Sequence, residues 1–188
     1  LSEGQAKACR NRGLDVHLMD CREIRSETLG AFDAVVSLGA FEHFCSIKEW
    51  KQGKQDDIYH RLFENVADIL PSGGRFYLQT MVFGNNMIPY EDMDLNAPAG
   101  TDAYFVGALA AQCPGSWLPD GDEHVLRCAS PHFELINKSS GRLDYIETIK
   151  QWEKRYMRFN FKKYLFYGAL LPKYLFSSEF RGHIKVLQ

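Results

Sequence analysis

Two short runs of adjacent apolar, partly β-branched residues stand out along the chain. These are "FDAVVSL" (32–38) and "RFYLQTMVF" (75–83), and both read as buried strands. Between them, "DDIYHRLFENVADIL" (56–70) places Ile58, Leu62, Val66, Ile69 and Leu70 at helical spacing. The turn "PSGG" (71–74) returns the chain to the second run. Strand, helix and strand in this order predict parallel neighbours in an open α/β sheet. "LDVHLM" (14–19), "HFELINKSS" (132–140) and "RGHIKVLQ" (181–188) read as further strands. The first residues, "LSEGQAKACRNRG", read as a helix, with Ser2 as N-cap, Gln5 three residues on and Gly13 past its end. "DCREIRSETLGA" (20–31) reads as a loop or helical turn. "DAYFVGALAAQ" (102–112) and "DEHVLRCAS" (122–130) read as helices, as does 144–160 with Ile149, Trp152, Tyr156 and Phe159 along one side. Residues 84–120 read as a lid or substrate insertion, and 45–57, "CSIKEWKQGKQDD", as a solvated loop at the cleft rim.

Composition narrows the class. With 188 residues, 45% hydrophobic and 24% charged, the chain suits one globular domain with a real core. A net charge of −2 gives no global attraction to nucleic acid, so none is expected as a partner. The five cysteines are scattered without CxxC or zinc-ligand spacing. They read as reduced thiols of a cytoplasmic protein, with no metal site. No run of about 18 apolar residues spans a bilayer, and the first residues lack the apolar core of a signal peptide.

The chemistry concentrates in "SLGAFEHF" (37–44), which follows the first strong strand. Ligands of open α/β sheets sit beyond the carboxyl ends of the strands. Gly39 lets the backbone approach such a ligand closely. Glu42, walled by Phe41 and Phe44, is expensive to bury without a partner. The bland alternative makes Glu42 a helix cap and His43 a satisfied surface residue.

The order "LSEGQ", "FDAVVSLGAFEHF", "LPSGGRFYLQTM", "PGSWLP", "PHFE", "DYIETIKQWEKR" and "FRGHIKVLQ" resembles the cyclopropane fatty acid synthase family, nearest its mycolic acid cyclopropane synthase branch. "PSGG" alone is common among methyltransferases; "GAFEHF" followed by "PGSWLP" and "DYIETI" is far more specific. The resemblance implies a Rossmann-like methyltransferase sheet with helices on both faces and a helical lid. It implies S-adenosylmethionine as cofactor, with bicarbonate as a second bound group. Residues 1–188 would be the C-terminal portion of one such domain. The family's first strand, its Gly-rich cofactor loop and an upstream bicarbonate-site cysteine are not among these residues, so the sheet is expected to be incomplete on its N-terminal side and cofactor binding impaired.

By the same resemblance, Leu1, Ser2 and Gln5 lie near the ribose and methionine end of the cofactor. Asp20, Cys21 and Arg22 flank its adenine, and Leu38 and Gly39 line its methionine moiety. Glu42, Gln79, Met81 and Tyr145 stand where the family holds bicarbonate, and His43 joins them as a catalytic candidate. Gln79 replaces a family histidine, and Gln can neither carry charge nor shuttle a proton. The implied reaction adds a methyl group to the double bond of an unsaturated acyl chain, on a lipid or an acyl carrier. Phe41, Phe44, Tyr145 and Trp152 would face the developing cation. The group Lys150, Lys154, Arg155, Arg158, Lys162 and Lys163 suits lipid headgroups or an acidic carrier, which adds a membrane-peripheral location; a homodimer also fits. Two alternatives stand beside this reading. An amine N-methyltransferase of the coclaurine type carries an extra glutamate where this chain has Gly39. A truncated, non-catalytic homologue is the other.

Overall fold

The computed structural model describes residues 2–178, 180, 181 and 184. The chain divides into two compact units, Leu1–Leu135 and Ile136–Gln188.

The first unit is a mixed α/β structure. Helix α1 (Glu3–Arg10) opens on Ser2, whose Oγ accepts the Gln5 amide at 3.2 Å. A 3₁₀ turn (Cys21–Glu23) and the single-turn helix α2 (Ser26–Leu29) lead to strand β1 (Ala34–Leu38). Helices α3 (Ile47–Lys51) and α4 (Gln55–Asp68) then lead to β2 (Arg75–Gln79). The two strands pair in parallel, from Ala34 opposite Arg75 to Leu38 opposite Gln79, joined through α4 as a parallel pair requires. Helices α5 (Asp102–Gln112) and α6 (Gly121–Ala129) complete the unit.

The core gathers on α4. Tyr59, Leu62, Phe63 and Val66 are buried at helical spacing, against Val125 and Cys128 of α6. One face of the strand pair meets this cluster through Val35, Phe76 and Leu78. The other face presents Val36, Leu38 and Tyr77 to solvent, each at least 60% exposed. The expected many-stranded sheet is therefore a two-stranded one among the described residues.

Three sequence expectations need correction. Residues 14–19 are extended but unpaired. The Val16 carbonyl accepts the Arg10 guanidinium at 2.7 Å, and no described strand lies beside it to supply a ladder. Residues 132–140 form no strand because their alternation buries almost nothing. Phe133 packs on Phe76 with ring centroids 5.5 Å apart, while Leu135 and Ile136 stay exposed. Residues 45–57 are no loose loop. Ser46 and Glu49 form a full capping box that starts α3. The expected strand over 181–188 lies mostly outside the described residues; Arg181 and Ile184 are helical.

The second unit holds helices α7 (Arg142–Met157) and α8 (Phe161–Phe176), joined at a tight corner. There the Tyr156 and Tyr167 hydroxyls pair at 2.7 Å, and Lys163 Nζ donates to the Tyr156 carbonyl at 2.6 Å. Neither helix carries a buried residue.

Candidate active site

Both strands of the first unit end at the same edge, and the chain leaves each through residues singled out above. After Leu38, Gly39 adopts φ +58°, and a Cβ built there would meet nothing within 4 Å. Its N–H donates to the Gln79 carbonyl at 3.1 Å, tying the two strand ends together. A 3₁₀ turn over Phe41–His43 follows. It swings Phe41 into the core at 0% exposure, 4.4 Å from the Tyr59 ring centroid. The same turn carries Glu42 beneath the end of β2.

Glu42 is 4% exposed. Its Oε1 accepts the Met81 amide at 2.7 Å. Its Oε2 is buried and accepts no hydrogen bond. A buried carboxylate oxygen without a donor costs on the order of 1–3 kcal/mol, the penalty of an unmade hydrogen bond. It is a built acceptor for a ligand that brings an O–H or N–H. Bicarbonate, which carries one O–H, fits that chemistry. The open backbone at Leu38 and Gly39 fits the close approach of a cofactor. Gln79 and Met81 are exposed beside this edge.

His43 is placed differently. It is exposed, and its Nδ1 pairs with Ser116 Oγ at 2.6 Å, in the "PGSWLP" stretch. Phe41 supports the site from the core, with Phe44 packed edge-on at 5.8 Å.

The adenine-side candidates form a self-contained loop. Asp20 Oδ1 accepts Arg22 N–H at 2.9 Å and Arg22 Nε at 3.0 Å, and Oδ2 accepts Nη2 at 2.6 Å. These bonds hold the Asp20 carboxyl well below the usual carboxylate range. Burial, and then the Asp20 charge, push the Cys21 thiol up to about 11. The loop is tied to α4 by buried Asn65, which donates to the Arg22 carbonyl at 3.3 Å, and to α3 by Arg22 Nη1 near Glu49 Oε1 at 3.6 Å. Ser2 caps α1 by accepting the Gln5 amide. Leu1 lies outside the described residues. Tyr145, half-exposed on α7, belongs to the second unit.

Sequence reading missed the device that holds the site's floor. Buried Gln55 donates Nε2 to the Leu118 carbonyl at 3.0 Å and to Tyr59 Oη at 2.8 Å. Tyr59 Oη donates to the Trp117 carbonyl at 3.3 Å, and the Trp117 amide reaches the Cys45 carbonyl at 2.7 Å. Trp117 stacks on Trp50 at 4.2 Å, with Tyr90 5.6 Å away. The 45–57 and 84–120 segments are thus clamped to each other. The signal available in the sequence was the S-x-x-E spacing of Ser46 and Glu49.

Asp56, His124 and Cys128 also cluster, with ligand-type atoms within 4.8 Å. The hydrogen bonds disfavour a metal there. His124 Nδ1 accepts the Asp120 N–H at 3.2 Å, so Nε2 carries the ring proton and donates it to Asp56 Oδ1 at 2.8 Å. A nitrogen already protonated is no ligand.

A parallel strand–helix–strand unit with a poised carboxylate beyond its strand ends is the arrangement of an open-sheet α/β enzyme. A family model described as mycolic acid cyclopropane synthetase matches residues 1–165, and the chain belongs to that family. Its members are S-adenosylmethionine-dependent methyltransferases of the cyclopropane synthase type. No curated protein and no solved structure matches the chain.

Proposed function

We propose that these residues form the C-terminal portion of a Rossmann-like methyltransferase domain that methylates the double bond of an unsaturated acyl chain. The observation that carries this reading is Glu42 Oε2, buried and without a donor at the shared end of β1 and β2. A carboxylate oxygen that is buried and has no hydrogen-bond donor is uncommon among purely structural groups. This carboxylate keeps one oxygen locked on Met81 N–H and the other free for a bound group.

S-adenosylmethionine, when bound, supplies an electrophilic methyl group. Leu38 and Gly39 would receive its methionine portion, Asp20, Cys21 and Arg22 would flank the adenine, and Ser2 and Gln5 would stand near the ribose. Glu42 would accept a hydrogen bond from bicarbonate through its unpartnered oxygen, and Gln79 would donate one. Held there, the cofactor would supply its methyl carbon to the alkene, its bond to sulfur breaking as the new carbon–carbon bond forms. Phe44 would present an aromatic face to the resulting carbon cation. Ring closure would need loss of one proton, and an anion held by Glu42 would supply the base for it. The 84–120 segment covers the acyl chain.

The test incubates the full chain with cofactor labelled in the methyl group, against monounsaturated phospholipids and a panel of amines. Label in lipid is expected. Label in amines alone, or neither label nor cofactor binding, overturns the reading. Glu42→Gln is expected to lower turnover at least about 100-fold, the scale of a lost acid–base or anion-holding group, with an unchanged far-UV circular dichroism spectrum. Near-normal turnover would remove Glu42 from the mechanism.

A further inference from the structure

Glu42 stays in a place that it would gain by leaving. Its buried Oε2 accepts no hydrogen bond, and water would supply one if the side chain swung out. Oε1 is held by the Met81 amide. The turn that carries Glu42 is a single round of 3₁₀ helix. It is closed by the His43 amide on the Ala40 carbonyl at 3.1 Å and the Phe44 amide on the Phe41 carbonyl at 3.2 Å. Bonds of this i→i+3 kind have poorer geometry than those of an α-helix. The turn therefore takes its rigidity from what grips it on either side.

Before Glu42 the grip is Phe41, packed on the Tyr59 and Phe63 rings with centroids 4.4 and 5.8 Å away. After it the grip is the loop 113–119. The Pro114 carbonyl accepts the Ile47 amide at 3.2 Å, and the Trp117 amide donates to the Cys45 carbonyl at 2.7 Å. Half-buried Ser116 adds a side-chain bond, its Oγ 2.6 Å from His43 Nδ1. Of these bonds only the last reaches the turn itself, on the residue next to Glu42. The tie is made whichever atom donates the proton, since a hydroxyl is donor and acceptor at once. The loop can bear it. The Ser116 amide closes onto the Cys113 carbonyl at 3.0 Å, and Trp117 is held by Tyr59 and stacked on Trp50.

We propose that Ser116 is a positioning residue of the candidate active site. Its bond to His43 fixes the Phe41–His43 turn and so keeps Glu42 beneath the end of β2, with Oε2 offered to a bound group instead of to water. The backbone bonds at Cys45 and Ile47 act beyond the turn and do not hold it by themselves. The kinetic part of this inference rests on the methyl-transfer reading. The lock does not, because it is measured without cofactor or turnover.

The experiment is a melting cycle on the full chain by calorimetry: parent, Ser116→Ala, Glu42→Gln and the two together. In the parent, Glu42→Gln relieves a buried charge and should raise the melting temperature by about 2–4 °C. In the Ser116→Ala background the carboxylate has already turned to water, so the rise should shrink below about 1 °C. His43→Ala removes the same bond from its other end and should shrink the rise equally. Ser116→Thr keeps the hydroxyl and should restore it. Equal shifts in the parent and Ser116→Ala backgrounds, whatever their size, would overturn the proposal, as would a Thr variant indistinguishable from the Ala variant. Turnover is then read with methyl-labelled cofactor and monounsaturated phospholipid. Ser116→Ala should lower kcat about tenfold or more and leave KM within about twofold, the mark of a displaced group and not of lost binding. Coupled melting without any methylation by the parent would sink the methyl-transfer reading and leave the lock standing. Methylation at the parent rate by Ser116→Ala would overturn the lock and leave that reading standing.

Discussion

Glu42 carries an energetic signature that can be measured apart from catalysis. Its Oε2 is desolvated without a donor, while Oε1 holds the Met81 amide. Glu42→Gln keeps a carbonyl for Met81 and removes the buried charge, and a neutral amide is cheaper to bury than a carboxylate. The variant is expected to be more stable by about 1 kcal/mol, a rise of about 2–4 °C in melting temperature for a chain of this size. A lower melting temperature in calorimetry would mean that Glu42 is structural. The thiols give a second residue-scale prediction. Burial, and then Glu49, push Cys45 up to about 11, and burial raises Cys128 as well. Cys113 is exposed. Native protein should therefore be alkylated first at Cys113, with Cys45 and Cys128 protected until unfolding. Peptide mapping after a short iodoacetamide pulse checks the order.

At the scale of elements, α3 converts a stretch without helical periodicity into a fixed support. Ser46 Oγ accepts the Glu49 amide at 3.2 Å, and Glu49 Oε2 accepts the Ser46 amide at 2.9 Å. Ser46→Ala is expected to cost about 1 kcal/mol. Because both residues serve one box, Ser46→Ala and Glu49→Gln together should cost less than the sum of the two. Urea midpoints of the four proteins test this, and strict additivity would show that the box is not a unit. β1, β2 and α4 were legible from their apolar runs and helical spacing, and α4 buries Tyr59, Leu62, Phe63 and Val66 as that spacing requires; the S-x-x-E spacing of the capping box was present in 45–57, but that stretch reads as a loop without it. The failures have a common cause. Residues 14–19 and 132–140 have strand-like composition, but a strand exists only where a neighbour accepts its ladder. Helix α8 has too few polar residues to show a period at all. At the site, Glu42 and Gly39 were readable from their place after β1, whereas Gln79 was reached only through the family resemblance. The Gln55–Tyr59–Trp117 clamp was not, because it joins residues about 60 apart through backbone carbonyls.

For the whole molecule, charge is sorted between the two units, and so is sensitivity to acid. Four carboxylates of the first unit are held below their ordinary values. Asp20 is held by the Arg22 side chain, Glu49 by the Ser46 hydroxyl and amide, and Asp68 by the Ser26 amide. Partial burial pushes Asp56 up, but His124 and Arg127 outweigh it and leave it lowered. A carboxylate depressed in the folded chain contributes stability above its ordinary pKa of about 4, and that contribution disappears as pH falls through the folded value. These bonds tie the 20–22 loop, α2, α3 and α4–α6 to one another, so acid loosens the first unit as a whole. Helices α7 and α8 depend on none of them. Between about pH 5 and 2, near-ultraviolet dichroism from the Trp50–Trp117 stack should collapse while much of the helical far-ultraviolet signal of the second unit persists. A single transition in which both signals vanish together would mean that the units fold as one. If the Trp signal persisted down to about pH 2, the carboxylate network would not be what holds the first unit together.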